Sequence, residues 1–114
     1  MTDADAPRLR AGVWVAAYLA RLRAQAIPAF VVHRGDADAG AVLVVAATLD
    51  GRARAFQRSF DLLTGARAWV PLAEGTEAEV AAAVARQRRF DPDLWVVEVE
   101  DRAGRTLLGE EGLD

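Results

Sequence analysis

Four aspartates fall in two Asp-x-Asp turns, Asp36-Ala37-Asp38 and Asp91-Pro92-Asp93, and these are the residues best placed to do chemistry. Carboxylates delivered by two loops to one point hold a hard cation such as Mg²⁺ or Ca²⁺ through oxygen. The neighbouring His33 and Arg34 would add an imidazole that titrates near neutrality and a guanidinium that grips phosphate or carboxylate. His33, Arg34, Asp36, Asp38, Asp91 and Asp93 are therefore the candidate binding residues, and with them a metal-dependent hydrolase or nucleotide-binding enzyme is one reading of the chain. No catalytic residue, cofactor or particular metal follows from the spacing, because the first turn lacks the further acids and closing Glu of an EF-hand. The competing reading is structural. Aspartate closes turns onto the backbone two residues on, and Asp-Pro is an ordinary turn signal.

Other chemistries are poorly served. Ser59 is the sole serine and sits outside any nucleophile elbow, and His33 is the sole histidine. No lysine exists for a Walker A loop, and no Gly-x-Gly-x-x-Gly follows a strand. The alternation Arg54, Phe56, Arg58, Phe60 resembles a stacking platform for single-stranded RNA, or a sheet face packed under a helix with arginine stems running past it. Arg86, Arg88 and Arg89 suit a helix C-terminus. Arg34-Gly35-Asp36 matches an adhesion tripeptide by coincidence.

The elements that position these residues follow from periodicity and turn chemistry. Residues 12–25 carry apolar side chains at helical spacing, and Pro28 ends that helix and opens a strand through His33. Residues 34–40 form a turn. Residues 41–49 are apolar and rich in valine, as expected of a strand covered on both faces. Asp50-Gly51 signals a hairpin, residues 52–62 alternate as a strand, and Thr64-Gly65 turns into a strand at 67–72 that Pro71 marks as an end or an edge. Thr76 with Glu79 is a capping-box pattern that opens a second helix to Arg88. Residues 94–100 are a strand with Trp95, Val97 and Val99 on one face and Glu98 and Glu100 on the other, and Thr106-Leu107-Leu108 is either a further short strand or loose. The expected fold is α+β, in the order α-β-β-β-β-α-β: one antiparallel-rich sheet of four to five strands, with both helices most simply on one face. Residues 1–7 read as a disordered tail and 8–114 as one domain.

The 114 residues include 14 arginines, no lysine, 25 alanines and no cysteine, with a net charge of −3. Arginine and alanine in this proportion reflect GC-rich coding more than chemistry. Residues 1–90 carry a net charge of +3 and residues 91–114 a net charge of −6, so nucleic acid is a poor default partner. The lack of cysteine excludes a disulfide scaffold and thiol chemistry, and no apolar run reaches the ~18 residues of a membrane helix. The start is acidic and unlike a signal peptide, so the expected location is the cytoplasm.

Taken together, Gly12-Val13-Trp14-Val15, Ile27-Pro28-Ala29-Phe30-Val31, Arg34-Gly35-Asp36-Ala37-Asp38-Ala39-Gly40 and Phe90-Asp91-Pro92-Asp93-Leu94-Trp95 make the chain resemble a small bacterial family, domain of unknown function 1491, from about Arg8 onward. The resemblance implies a compact cytoplasmic protein with no established activity and transfers no site residue. Ala26 stands where it implies glycine, a departure at the turn from helix to strand. The reading favoured by the three tryptophans and the acidic C-terminal region is an interaction module with a protein partner or a second copy of itself, pairing edge strands or sheet faces. The enzyme and RNA-binding readings stand beside it.

Overall fold

A computed structural model describes residues 9–113, so the tail expected over 1–7 lies outside the described residues. The elements run α1 (Ala11–Ala24), β1 (Ala29–His33), β2 (Val42–Ala47), β3 (Arg52–Phe60), β4 (Arg67–Thr76), α2 (Glu77–Phe90) and β5 (Trp95–Glu100). This is the expected α+β order. The strands make one five-stranded sheet ordered β1-β5-β2-β3-β4. Strands β2, β3 and β4 form an antiparallel meander. The last strand enters between β1 and β2, antiparallel to β1 and parallel to β2, with Val44 opposite Val97.

The helices do not share a face. Trp14, Val15, Tyr18 and Leu22 of α1 bury against Val44, Trp95, Val97 and Val99, whereas Val80 and Val84 of α2 bury against Leu43, Val45, Ala53, Ala55 and Val96. Both helices on one face is therefore replaced by one helix on each. The reason lies in β2, where Leu43, Val44, Val45, Ala46 and Ala47 are all buried; alternate residues point to opposite faces, so both faces need a cover.

Local chemistry explains the ends of the helices. The capping box at α2 is formed: Thr76 Oγ1 accepts from the Glu79 N–H at 3.1 Å, and Glu79 Oε1 accepts from the Thr76 N–H at 3.4 Å. Helix α1 has no side-chain cap. Its first N–H groups are satisfied from elsewhere, by Ala11 N–H donating to the Asp38 carbonyl at 3.3 Å and Gly12 N–H to the Ala37 carbonyl at 2.9 Å. At its other end Ala26 takes φ 57°. There Ile27 N–H donates to Leu22 O and Ala26 N–H to Arg23 O, both at 3.0 Å. That is a Schellman turn, with Leu22 and Ile27 making its apolar contact in the core. The tight turn is thus kept without glycine.

Residues 106–108 form no strand and are not loose. The C-terminal segment packs on the α1 side of the sheet, burying Leu108 and Leu113. It is held by Tyr18 donating to the Thr106 carbonyl at 2.7 Å, Trp69 Nε1 to the Leu113 carbonyl at 2.8 Å, and Arg21 to the Glu111 carbonyl and Glu110 carboxylate at 2.7 and 2.9 Å.

Candidate functional site

The two aspartate turns meet at one end of the sheet, where β1 finishes and β5 begins. Asp36 N–H donates to the Asp93 carbonyl at 2.9 Å, and the Trp95 indole N–H to the Asp36 carbonyl at 2.7 Å. The Nδ1–H of His33 donates to the Leu94 carbonyl at 2.8 Å, which fixes the tautomer, since a carbonyl only accepts. The guanidinium of Arg34 lies 5.6 Å from the centre of the Trp95 ring. All six candidate residues therefore gather in one region. What joins the turns, however, is main chain and indole.

The carboxylates point their chemistry elsewhere. Asp36 Oδ2 accepts from the N–H groups of Asp38 and Ala39 at 3.1 and 2.8 Å, and Asp91 Oδ1 from the N–H of Asp93 at 3.1 Å. Both are turn-closing bonds. Asp38 lies 3.7 Å from Arg10 in an exposed pair. Among the described residues, no group of three or more His, Cys, Asp or Glu side chains is placed to hold a metal ion.

Close packing makes the junction possible. A Cβ on Gly35 would run into the Asp93 carbonyl oxygen and stand 2.7 Å from both Leu94 C and Trp95 Cδ1. A Cβ on Gly40 would likewise press on Asp93 O and stand 2.8 Å from Asp36 O. Both positions require glycine because neighbouring backbone occupies the space of a side chain.

Beside this junction opens a cleft of about 740 Å³, walled by Trp14, Trp69 and Arg58, with Asp38, Asp91 and Gln87 at its rim. Sequence reading missed it. Trp14 stacks on Tyr18 (4.9 Å between ring centres) and meets Trp69 at 5.4 Å. The Arg58 guanidinium lies 5.1 Å from the Trp14 ring and 4.8 Å from the Trp69 ring, and it donates to the Leu113 carbonyl at 3.4 Å. Residues 14, 58, 69 and 113 carry no mutual spacing signal; only the paired β3–β4 hairpin beneath α1 brings them together. The alternating face of β3 is engaged from inside at Phe56 and Arg58, while Arg54 is exposed and the Phe60 side chain lies outside what the structure describes. Phe56 packs into the α1-side core, Arg54 lies over Phe56 at 5.5 Å and 3.5 Å from Glu74, and Arg58 sits among the tryptophans.

Burial and neighbouring charge shift few groups. The Tyr18 phenol is pushed well above its ordinary value by burial. The Glu98 carboxyl is raised by burial first, then by the negative charges of Glu100 and Glu77. Asp101 is lowered by hydrogen bonds from Arg105.

Comparison with known proteins places this geometry among relatives. A family model described as a protein of unknown function (DUF1491) matches residues 9–109. The crystal structure of a DUF1491 family protein from Caulobacter crescentus CB15 is similar at 41% identity and a TM-score of 0.78, over 90% of this chain and 94% of that one. An NMR structure of a DUF1491 family protein from the same organism gives 41% identity and a TM-score of 0.80, over 92% and 96%. The solution structure of protein Atu0922 from A. tumefaciens gives 32% identity and a TM-score of 0.71, over 82% and 86%. No functionally curated protein matches the chain.

Proposed function

The chain belongs to the DUF1491 family, whose description assigns no activity, and from that premise we propose that it is a small non-enzymatic interaction module that works by pairing with a second copy of itself along β1. One observation carries this reading. Strand β1 is an edge of the sheet, and its central residues Phe30, Val31 and Val32 are 44%, 37% and 55% exposed. A strand edge presents unpaired N–H and C=O groups, and proteins guard such edges with charge, proline or short length. The opposite edge, β4, carries Arg67, Pro71 and Glu74 along its length, and its pairing to β3 is irregular beside Phe56. Strand β1 carries no charged residue between Pro28 and His33; its one irregularity is the register shift at Val32.

Self-pairing across a two-fold axis suits this edge, because a symmetric interface sets one patch against itself. Antiparallel pairing of two β1 strands would extend the sheet from five strands to ten across the copies. It would also cover the apolar residues beside the edge, Val13 of α1 (53% exposed) on one face and Phe30 and Val32 on the other. No helix among the described residues is long and apolar enough to cross a membrane, and the module is placed in the cytoplasm as part of the same reading, which cell fractionation checks.

Light scattering on the full chain across a wide concentration range tests the pairing. The mass is expected to rise to that of a dimer, and Val32→Lys, which places a charge on an already exposed edge residue, is expected to return it to the monomer with the far-ultraviolet circular dichroism of the folded chain kept and the concentration dependence of the melting temperature lost. A monomer mass at every concentration overturns the proposal.

A further inference from the structure

We infer that the cleft beside the aspartate turns is a binding site for a small organic anion, whose carboxylate or phosphate is taken by Arg10 and Arg67 at the mouth while its apolar part lies toward Trp69. The cleft has the size of a ligand pocket, about 740 Å³ against the roughly 300–1,000 Å³ usual for such sites. Its lining carries Arg10, Arg58 and Arg67 beside Asp38 and Asp91. The neutral polar groups there, Gln57, Ser59 and Gln87, all have hydrogens to donate.

The arginines are not equivalent. Arg58 is held by two indole rings and the Leu113 carbonyl, so it is part of the wall and not a group that turns toward a ligand. Arg67 is exposed, and its side chain makes no ion pair among the described residues. Arg10 has only the loose 3.7 Å contact with Asp38, with 75% of its side chain exposed. Guanidinium forks free to turn toward a ligand are the usual means of gripping an oxyanion in two contacts. A further observation points the same way. The indole N–H of Trp14, a residue only 6% exposed in the cleft wall, has no hydrogen-bond acceptor among the described residues. Buried donors are nearly always paired, and this one, sealed from solvent, belongs to a ring that lines the cleft.

Indole N–H resonances of the full chain, titrated at low ionic strength with inorganic phosphate, phenyl phosphate or benzoate, provide the test. Trp14 and Trp69 are expected to shift saturably, while Trp95, whose N–H is committed to Asp36 O outside this cleft, stays in place. Phenyl phosphate binding more tightly than benzoate identifies a phosphate ester as the ligand class, and the reverse order a carboxylate. Arg67→Gln is expected to weaken binding about tenfold, equivalent to about 1.4 kcal/mol, and Arg10→Gln with Arg67→Gln to abolish it; both side chains are exposed, so the fold tolerates the changes. Added salt weakens binding in step. No saturable shift with any probe, an equal shift of Trp95, or undiminished affinity in the double variant overturns the inference.

Discussion

Replacing Gly35 by alanine tests whether the junction of the two turns is held by close backbone approach. The added methyl would press on Asp93 O and stand 2.7 Å from Leu94 C and Trp95 Cδ1. Two of these atoms belong to main chain and cannot rotate away. The turns must separate, and with them go the Asp36 N–H to Asp93 O bond and the Trp95 indole to Asp36 O bond. Forced overpacking costs about 1–3 kcal/mol, and two hydrogen bonds contribute about 1 kcal/mol each, for a loss of about 3–5 kcal/mol. At about 4–8 °C per kcal/mol for a domain near this size, the melting temperature should fall by about 12–40 °C. The control is Gly109→Ala, where an added Cβ meets nothing within 4 Å and no comparable loss is expected. Urea unfolding followed by tryptophan fluorescence measures both. If Gly35→Ala unfolds at the same urea concentration as Gly109→Ala, the packing argument is wrong.

Three further outcomes follow from other parts of the molecule. Tyr18→Phe removes the 2.7 Å bond to the Thr106 carbonyl and should cost about 1 kcal/mol, with hydrogen exchange quickening in residues 106–113. Ala26→Gly relieves a residue at φ 57°; the left-handed conformation costs a non-glycine residue about 1–2 kcal/mol, partly offset by the extra freedom of glycine when unfolded, so thermal unfolding should show a gain of up to ~1 kcal/mol. Glu98→Gln tests a carboxyl raised by burial and neighbouring negative charge. The folded protein holds that proton more tightly than the unfolded chain, so stability is gained as pH falls through the raised value and lost as the group ionises above it; the substitution should raise the melting temperature at neutral pH and flatten the profile just above the ordinary value of 4.5.

Much of the architecture was legible because it is local. The capping box at Thr76, the stop at Pro28 and the Asp50-Gly51 hairpin each depend on residues a few positions apart, and each appears where the pattern puts it. The unbroken apolar run in β2 even carried the sign of two covered faces, though the separation of the helices onto opposite sides was not drawn from it. What the sequence did not disclose depends on distant pairs. The entry of β5 between β1 and β2 rests on residues more than 40 positions apart. The satisfaction of the α1 N-terminus by the carbonyls of Ala37 and Asp38, 25 and 27 positions further on, is likewise non-local, which explains why no capping residue precedes that helix. The aspartate turns were singled out for their carboxylates, yet their backbone and the two small glycines join them. The cleft left no pattern because its tryptophans are indistinguishable, one by one, from core residues.

The position of β5 also sets the order in which the protein can be completed on the ribosome. Its neighbours β1 and β2 are finished by residue 47, but the strand that belongs between them ends at residue 100. At ~5–20 residues per second, the gap must stay open for roughly 3–10 s of translation. Once β4 is complete at residue 76, and until residue 100, the β2-β3-β4 meander has an unfilled flank and the first strand lacks its partner, and both are apolar. The sheet closes only after α2 has been made and has carried the chain back, so folding depends on contacts of long sequence separation and is correspondingly slow. A chain cut before Trp95 would remain in that open state, with the inner edges of β1 and β2 available to a chaperone or to another unfinished copy.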